Sequence, residues 1–568
     1  MSKPFDGHHV APTLYDKKGR PFCEAPFTPK SDTKRYICIV PPEKVIPVIF
    51  VPGIMGSNLR LLSPPQGLPS FGDIAWRPDD TYKFLAKKFL RRSASERRRI
   101  LNPNNTEVDD RGDIGDSGMD PFKHEPKNAQ ENWQQEFKRR RWGTVMLSSY
   151  GPLLCHLEYN LNRIYYRGEV NPYWHNQIKE RVALDFTGTR KERDWGKMSG
   201  FVPLTDADLT KAARFWYPVH AFGYNWLKSN SEAGKELSKY VDEVLGHYKK
   251  KLGYQCEKVI LVTHSMGGLV ARAACHAKIG DAENKVLGVV HGVMPATGAG
   301  AAYKRQHAGF EGAASPVLGG NGPEVAAVFS NSPGALQLLP TKLYGMGWLR
   351  FEDKNRKLIY SLPKADPYAE IYRERDKWWR LMNPAWLDPV GNAMKRVPLD
   401  DLWILYLDNL KLAEAFHDKL GTYYHPQTYT HYGADQKQAA WANVVWRENG
   451  DWSWSSEHKL EIVKNGILQA ANALGNVMVS AAQAGQSQRQ VWDRTGAIRT
   501  EYSGWRAELM SAADAGDGTV PAVSGAAPQA KSKCTAAMTG FDHQGSYKNT
   551  AVQEFVLHNI AKLAQEAT

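Results

Sequence analysis

Apolar positions along this chain gather into short dense runs separated by polar, glycine-rich breaks. Val45 to Val51 reads VIPVIFV and Lys258 to Val262 reads KVILV, runs rich in β-branched residues that predict buried strands. Pro218 to Phe222 and Val286 to Val290 repeat the pattern. Ser231 to Leu252 changes period: Leu237, Tyr240, Val241, Val244, Leu245 and Tyr248 share one helical face, and Gly253 closes it. Gly267 to Lys278 predicts a helix of small residues, and Thr550 to Ala564 a closing helix. Strand and helix in alternation predict an α/β fold, a mostly parallel sheet covered by helices.

That rhythm is interrupted. Residues 1–44 are polar and Pro-rich and read as an extended arm, ahead of core residues 45–61. Residues 62–141 lose apolar periodicity and read as an insertion before core residues 142–340. Residues 341–420 and 436–510 read as two cap (lid) insertions, parted by a core strand in 421–435 at Gln427 to Tyr432. Core resumes over 511–568, with sheet signals at Thr519-Val520 and at Cys534 to Thr539. The caps hold dense tryptophan clusters, among them Trp378, Trp379, Trp386, Trp441, Trp446, Trp452 and Trp454. Indole prefers a membrane interface, so these rings suit a lid that meets a bilayer, and they equally suit a core of the cap's own.

Composition narrows the classes. The chain has 568 residues, 42% hydrophobic and 23% charged, which is globular rather than disordered. A net charge of +13 favours an anionic surface as partner. The basic clusters Arg91-Arg92, Arg97 to Arg99 and Lys138 to Arg141 fall in no recognisable nucleic-acid motif; they read as a solvated insertion, and no nucleic acid is expected as partner. Six cysteines without CxxC spacing read as free thiols of a protein made in a reducing compartment. The first residues lack an apolar h-region, so no signal peptide is expected, and no run of about 18 apolar residues predicts a membrane span. The Asp-rich run Glu107 to Asp120, which holds Asp109, does not match the D-x-D-x-D-G calcium loop; no metal or cofactor is expected.

The candidate chemistry sits where the KVILV strand stops at Thr263-His264-Ser265-Met266-Gly267-Gly268. A serine held up on a sharp strand-to-helix turn needs small neighbours so that helix and strand can approach. Gly267 meets that need, whereas Thr263 stands where the G-x-S-x-G pattern has its first glycine. A serine hydroxyl is a poor nucleophile and requires a base and a group that orients the base. In the chain order this turn demands, Asp517 (AGDGTVP) and His543 (GFDHQGS) follow, with Asp514 and Asp542 as rivals for the acid. His264 and His291 read as residues that support the site from behind or simply end their strands, rather than as the base, because the backbone points them away from the serine hydroxyl. The Met266 N–H at the helix start, and the Ile54 or Met55 N–H beside Gly53 and Gly56, are the candidate oxyanion donors, Ile54 being the preferred one.

Taken in order, IFVPGIMGSNL, HAFGYNW, LVTHSMGGLVAR, GVMPATGAG, NSPGALQLLP, TYTHYGAD, GDGTVP and DHQGSYKN resemble the α/β-hydrolase lipases of the lecithin–cholesterol acyltransferase and PGAP1-like branch. Within it, the whole chain is most similar to bacterial type VI secretion lipase effectors of the Tle4 group. The resemblance implies hydrolysis of phospholipid acyl esters at a membrane surface, after synthesis in the cytoplasm and injection into a neighbouring cell. It also implies a cognate immunity protein, and a secretion-machine spike or adaptor, as partners. Two other readings stay open: a binding protein on an inactive hydrolase scaffold, and an acyltransferase or esterase with the same triad.

Overall fold

A computed structural model describes residues 8–24, 31, 35–38, 40–63, 73–79, 92–115, 126–166, 168–175, 195–312, 315–387, 399–450, 455–472, 475–480, 488–492, 498–502 and 505–567. Seven strands form the main sheet: Val48–Val51 (β1), Lys197–Ser199 (β2), Val219–Ala221 (β3), Val259–His264 (β4), Val286–Gly292 (β5), Thr428–Gly433 (β6) and Cys534–Met538 (β7). Their spatial order is β2-β7-β6-β5-β4-β1-β3, parallel throughout except for the antiparallel edge pair β2–β7. Every residue of β1, β4 and β5 is buried, which is why these strands read as unbroken apolar runs instead of alternating ones. Pro47 lacks the N–H a ladder needs and splits the VIPVIFV run. Lys44–Val45 pairs instead with Phe215–Trp216.

Leu147–Leu161 (α1), Asn230–Gly246 (α2), Gly267–Cys275 (α3) and Thr550–Leu563 (α6) cover the two faces of this sheet, while Gly300–Ala308 (α4) and most of Leu399–Leu420 (α5) pack with the cap residues. Side chains alternate across a strand. Ile49, Val51, Val259 and Leu261 therefore pack with Leu237, Val241 and Leu269 of α2 and α3. Val48, Phe50, Ile260 and Val262 pack with Leu153, Leu157, Phe555 and Ile560 of α1 and α6. The helix predicted to run to Leu252 ends regularly at Gly246 and finishes in a wide turn, His247–Lys251. The one predicted to reach Lys278 stops at Cys275, where His276 takes an extended backbone. Thr519-Val520 lies in a turn; the nearby strand is Asp514–Gly516, paired with Asp435–Ala440.

The reading of the basic clusters as solvated is overturned for several members. Arg140 is fully buried and paired with Glu136 at 2.6 Å and Glu158 at 2.9 Å. Arg97 donates to the Val317 carbonyl at 2.8 Å, and Arg98 to Ser330 Oγ at 3.2 Å and to the Leu387 carbonyl at 3.1 Å. Polar sequence here encodes buried ion pairs and strut-like guanidinium contacts; Arg91 lies outside the described residues. Within the segment read as an insertion, the helix Lys127–Arg139 sends Trp133 and Phe137 into the core against α1.

The cap segments build a second sheet, in spatial order 358–362, 349–352, 444–448, 505–509, 477–480 and 467–471. Trp378 sits 5.5 Å, centroid to centroid, from both Trp446 and Trp505, and all three are buried. Trp379 and Trp441 are buried as well, and Trp386 is half-buried. Of the two readings of the tryptophans, the cap core describes Trp378, Trp379, Trp441 and Trp446; Trp452 and Trp454 lie outside the described residues. No described helix is long and apolar enough to cross a membrane. No disulfide joins any of the six cysteines, all of which lie among the described residues.

Candidate active site

Ser265 follows the last residue of β4 and has a left-handed backbone, φ +52, which a non-glycine residue adopts only where the surroundings impose it. Its N–H donates to the Gly292 carbonyl at 2.9 Å, which fixes the turn to the end of β5. A Cβ on Gly267 would lie 2.4 Å from the Val51 carbonyl oxygen, so α3 can start against β1 only with glycine there. A Cβ on Gly53 would lie 2.9 Å from the Ser265 Cβ; its absence lets the loop after β1 reach the serine. Thr263 is tolerated in place of glycine because its hydroxyl turns toward β5 and meets His291 Nδ1 at 3.0 Å.

The structure brings Ser265, His543 and Asp517 together. His543 lies on the loop between β7 and α6, with Nε2 at 2.9 Å from Ser265 Oγ. Its Nδ1 is 2.8 Å from Asp517 Oδ2, and its backbone N–H donates to the Asp517 carbonyl at 2.7 Å. The Asp517 carboxylate is 1% exposed, and its Oδ1 accepts from the Thr519 and Val520 N–H groups at 3.0 and 2.7 Å. One carboxylate oxygen is thus spent on fixing its own loop and the other on the imidazole. The rivals are engaged elsewhere: Asp514 accepts from Ala442 and Asn443 N–H, and Asp542 from Gly545 N–H. Among the described residues, neither the Met266 nor the Ile54 N–H has an acceptor, and Ile54 and Ser265 line the same cavity.

His264, read from the sequence as a neighbour of the site and not the base, has a partner that was not singled out there, Tyr150. His264 Nε2 donates to the His543 backbone carbonyl at 2.9 Å. Its Nδ1 then accepts from the Tyr150 hydroxyl at 3.1 Å, and that hydroxyl accepts from the Gly53 N–H at 3.3 Å. Gly53, Tyr150, His264 and His543 thus form one chain that ties the loop after β1 to the histidine loop. Burial, aided by the nearby His543, pushes His264 down to about 3, so it stays the neutral donor this chain requires. Burial likewise pushes Tyr150 up to about 12, which keeps its hydroxyl proton in place. Tyr150 was hidden in sequence because it belongs to an ordinary amphipathic helix far from every motif.

The serine opens into a cavity of about 730 Å³ whose wall is mostly apolar, with Ile54, Met55, Trp76, Phe310 and Leu318 among its residues. Among the described residues, no cluster of His, Cys, Asp or Glu has a metal-holding arrangement. Asp109, in the Asp-rich run, is fully buried and bound by the Arg111 guanidinium at 2.8 Å and by Arg77; residues 116–120 lie outside the described set.

A nucleophile turn at the C-terminal end of a parallel strand, with acid and histidine on later loops, defines a class. The model for the alpha/beta hydrolase family matches residues 171–461, and the chain belongs to that family. The matched stretch contains Ser265 and stops short of Asp517 and His543. A chain of the crystal structure of the Tle4–Tli4 complex is similar over nearly the whole molecule. The TM-score is 0.69 at 30% sequence identity, covering 92% of this chain and 99% of that one. The resemblance to the Tle4 group read from the motifs therefore extends to the fold, including the capped α/β architecture. No curated protein matches the chain.

Proposed function

We propose that the protein is a serine lipase that hydrolyses acyl esters of membrane glycerophospholipids. The observation that carries this reading is the continuous proton path Ser265 Oγ, His543 Nε2, His543 Nδ1, Asp517 Oδ2, with links of 2.9 and 2.8 Å. Ser265 attacks the ester carbonyl while His543 takes its proton. Asp517 holds the imidazole in the tautomer that presents an unprotonated Nε2, and stabilises the imidazolium that forms. The tetrahedral oxyanion is met by the Met266 and Ile54 N–H groups, each contributing about 3 kcal/mol in comparable sites. The imidazolium protonates the leaving alkoxide, and water, activated by the same histidine, releases the fatty acid and restores Ser265.

Family membership supports hydrolase chemistry, and the apolar cavity beside Ser265 supports an acyl chain as the group it receives. The likeness to a chain of the Tle4–Tli4 complex supports a toxin delivered by a type VI system and held in check by an immunity protein in the producing cell. A binding protein on a dead scaffold has no need of an intact relay, and an unspent relay weighs against it.

The test uses purified full-length protein on defined phospholipids, with fatty acid and lysolipid quantified. Ser265→Ala is expected to lower turnover by roughly 10⁴- to 10⁶-fold with unchanged thermal stability. Near-full activity in that variant would end the assignment of Ser265 as nucleophile.

A further inference from the structure

The cavity beside Ser265 is apolar over most of its wall, yet one guanidinium reaches it. Among the described residues, Arg305 is the only Lys or Arg that lines it. It projects from the last turn of α4, where Lys304 is its neighbour. Arg305 Nη2 donates to Thr519 Oγ1 at 3.1 Å, and the Thr519 N–H donates to the triad carboxylate of Asp517 at 3.0 Å. The guanidinium therefore sits on the triad's own loop, held at a defined place relative to the serine. Its Cζ lies over the Phe310 ring, 4.8 Å from the centroid, a cation–π contact that adds to its anchoring.

The Nε edge of that fork meets Glu311. Arg305 Nε donates to Glu311 Oε2 at 3.1 Å, and Lys304 Nζ donates to Glu311 Oε1 at 2.5 Å. Two cations thus converge on a single carboxylate. The exposures differ: the Arg305 and Lys304 side chains are 15% and 13% exposed, against 36% for Glu311. The cations are the more enclosed members of the cluster and Glu311 the most exposed, so Glu311 is the member a competing anion would displace. Although burial raises its pKa, Arg305 and Lys304 pull the Glu311 carboxyl below its ordinary value, so it stands there ionised. A fixed cation pair with a removable oxyanion is the arrangement a substrate phosphodiester would use, because the guanidinium fork matches phosphate oxygens in the same bidentate way as a carboxylate.

We propose that Arg305, with Lys304, reads the phosphodiester of the substrate, and that Glu311 occupies its place in the empty enzyme. This assignment rests on the reading of Ser265 as the nucleophile that attacks an acyl ester. Its consequence is a preference within diacyl lipids. A phosphatidyl lipid displaces Glu311 and is held across the cavity mouth with an ester at the serine. A diacylglycerol of the same chain length has nothing to offer the cations and leaves Glu311 in place.

The test compares dihexanoylphosphatidylglycerol with dihexanoylglycerol, both kept monomeric so that adsorption to an interface plays no part. The quantity read is the ratio of their kcat/KM values, with full-length protein. Arg305→Gln is expected to lower that ratio on the order of 30-fold, the loss typical of truncating one member of a hydrogen-bonded charge pair. Arg305→Lys restores part of it, and Glu311→Gln lowers KM for the phospholipid severalfold. A merely structural role for Arg305 depresses both substrates together and leaves the ratio unchanged; that result, or a wild-type protein without preference for the phospholipid, overturns the assignment. Should Arg305→Gln not fold, the wild-type protein decides the matter. Millimolar glycerol 3-phosphate then inhibits dihexanoylglycerol hydrolysis competitively where glycerol does not, and its failure to do so is equally fatal. Loss of the underlying reading is distinct: Ser265→Ala would then match wild type on both substrates.

Discussion

The two sheets of this protein bury their polar and aromatic groups to different ends. At the end of the main sheet beside Ser265, buried polar residues meet specific partners: Thr263 with His291, His264 with the His543 carbonyl, and Asp517, on the neighbouring loop, with the His543 ring. In the cap sheet, the large buried groups are rings that touch other rings, with Trp378 against Trp379, Trp446 and Trp505. One region spends burial on orientation and the other on cohesion. Substitutions in the first should therefore act on turnover and those in the second on stability.

The sharpest separation comes from Asp517→Asn. It removes the charge that orients His543 while preserving shape, and turnover on phospholipid is expected to fall about 10⁴-fold with little change in melting temperature. A large fall in melting temperature with modest loss of activity would erase the distinction between the regions.

Acid probes both regions at once. Burial holds His264, His291, His431 and His558 to about 3, and His307 and His417 to about 4. Unfolded histidine titrates near 6.5, so below that pH the unfolded chain takes up protons that the folded chain refuses. Stability is then flat above pH 7 and falls as pH drops from about 6.5 toward 4, by about 1 kcal/mol per buried histidine near pH 5.5. Denaturant melts at pH 7.5 and 5.5 check this; equal midpoints would mean these rings are solvated.

Trp446→Ala takes a fully buried indole from the cap core and is expected to cost about 3–5 kcal/mol in denaturant unfolding. Activity per folded molecule should stay within a few-fold of wild type. The smallest effect belongs to Tyr150→Phe, which deletes one hydroxyl from the chain that joins Gly53 to His543. A hydrogen bond of that kind is worth about 1 kcal/mol, so kcat is expected to drop roughly fivefold. The pH dependence of kcat is the discriminating measurement, because a packing defect alone would not displace it.

The main sheet was legible because its strands are short, fully buried and β-branched, and because the serine turn carries its own steric signature in Gly267. Chain order narrowed the acid to the segment from Asp514 onward without choosing among Asp514, Asp517 and Asp542; the glycine-rich loop around Asp517 and the loop that holds His543 were the further signals. The cap was not legible to the same degree. Its strands pair across long separations, Phe351 with Trp446 and Trp446 with Leu509, and no local pattern announces such partners. The basic clusters misled for a related reason. Charge along a sequence signals water unless a counter-charge is known to arrive, and the Glu158 that neutralises Arg140 comes from a different helix. Tyr150, likewise, acquires its position only when α1 packs beside β1.

The order of strands has one more consequence. Ser265 and the imidazole hydrogen-bonded to it are 278 residues apart, and the strand that delivers that imidazole, β7, slots between β6 and β2. As the chain leaves the ribosome, the serine is out and its turn can form long before its hydrogen-bond partner His543 has been translated. The cluster of Ser265, Asp517 and His543 is therefore incomplete for the greater part of synthesis, and it closes only when β7 and its following loop fall into place.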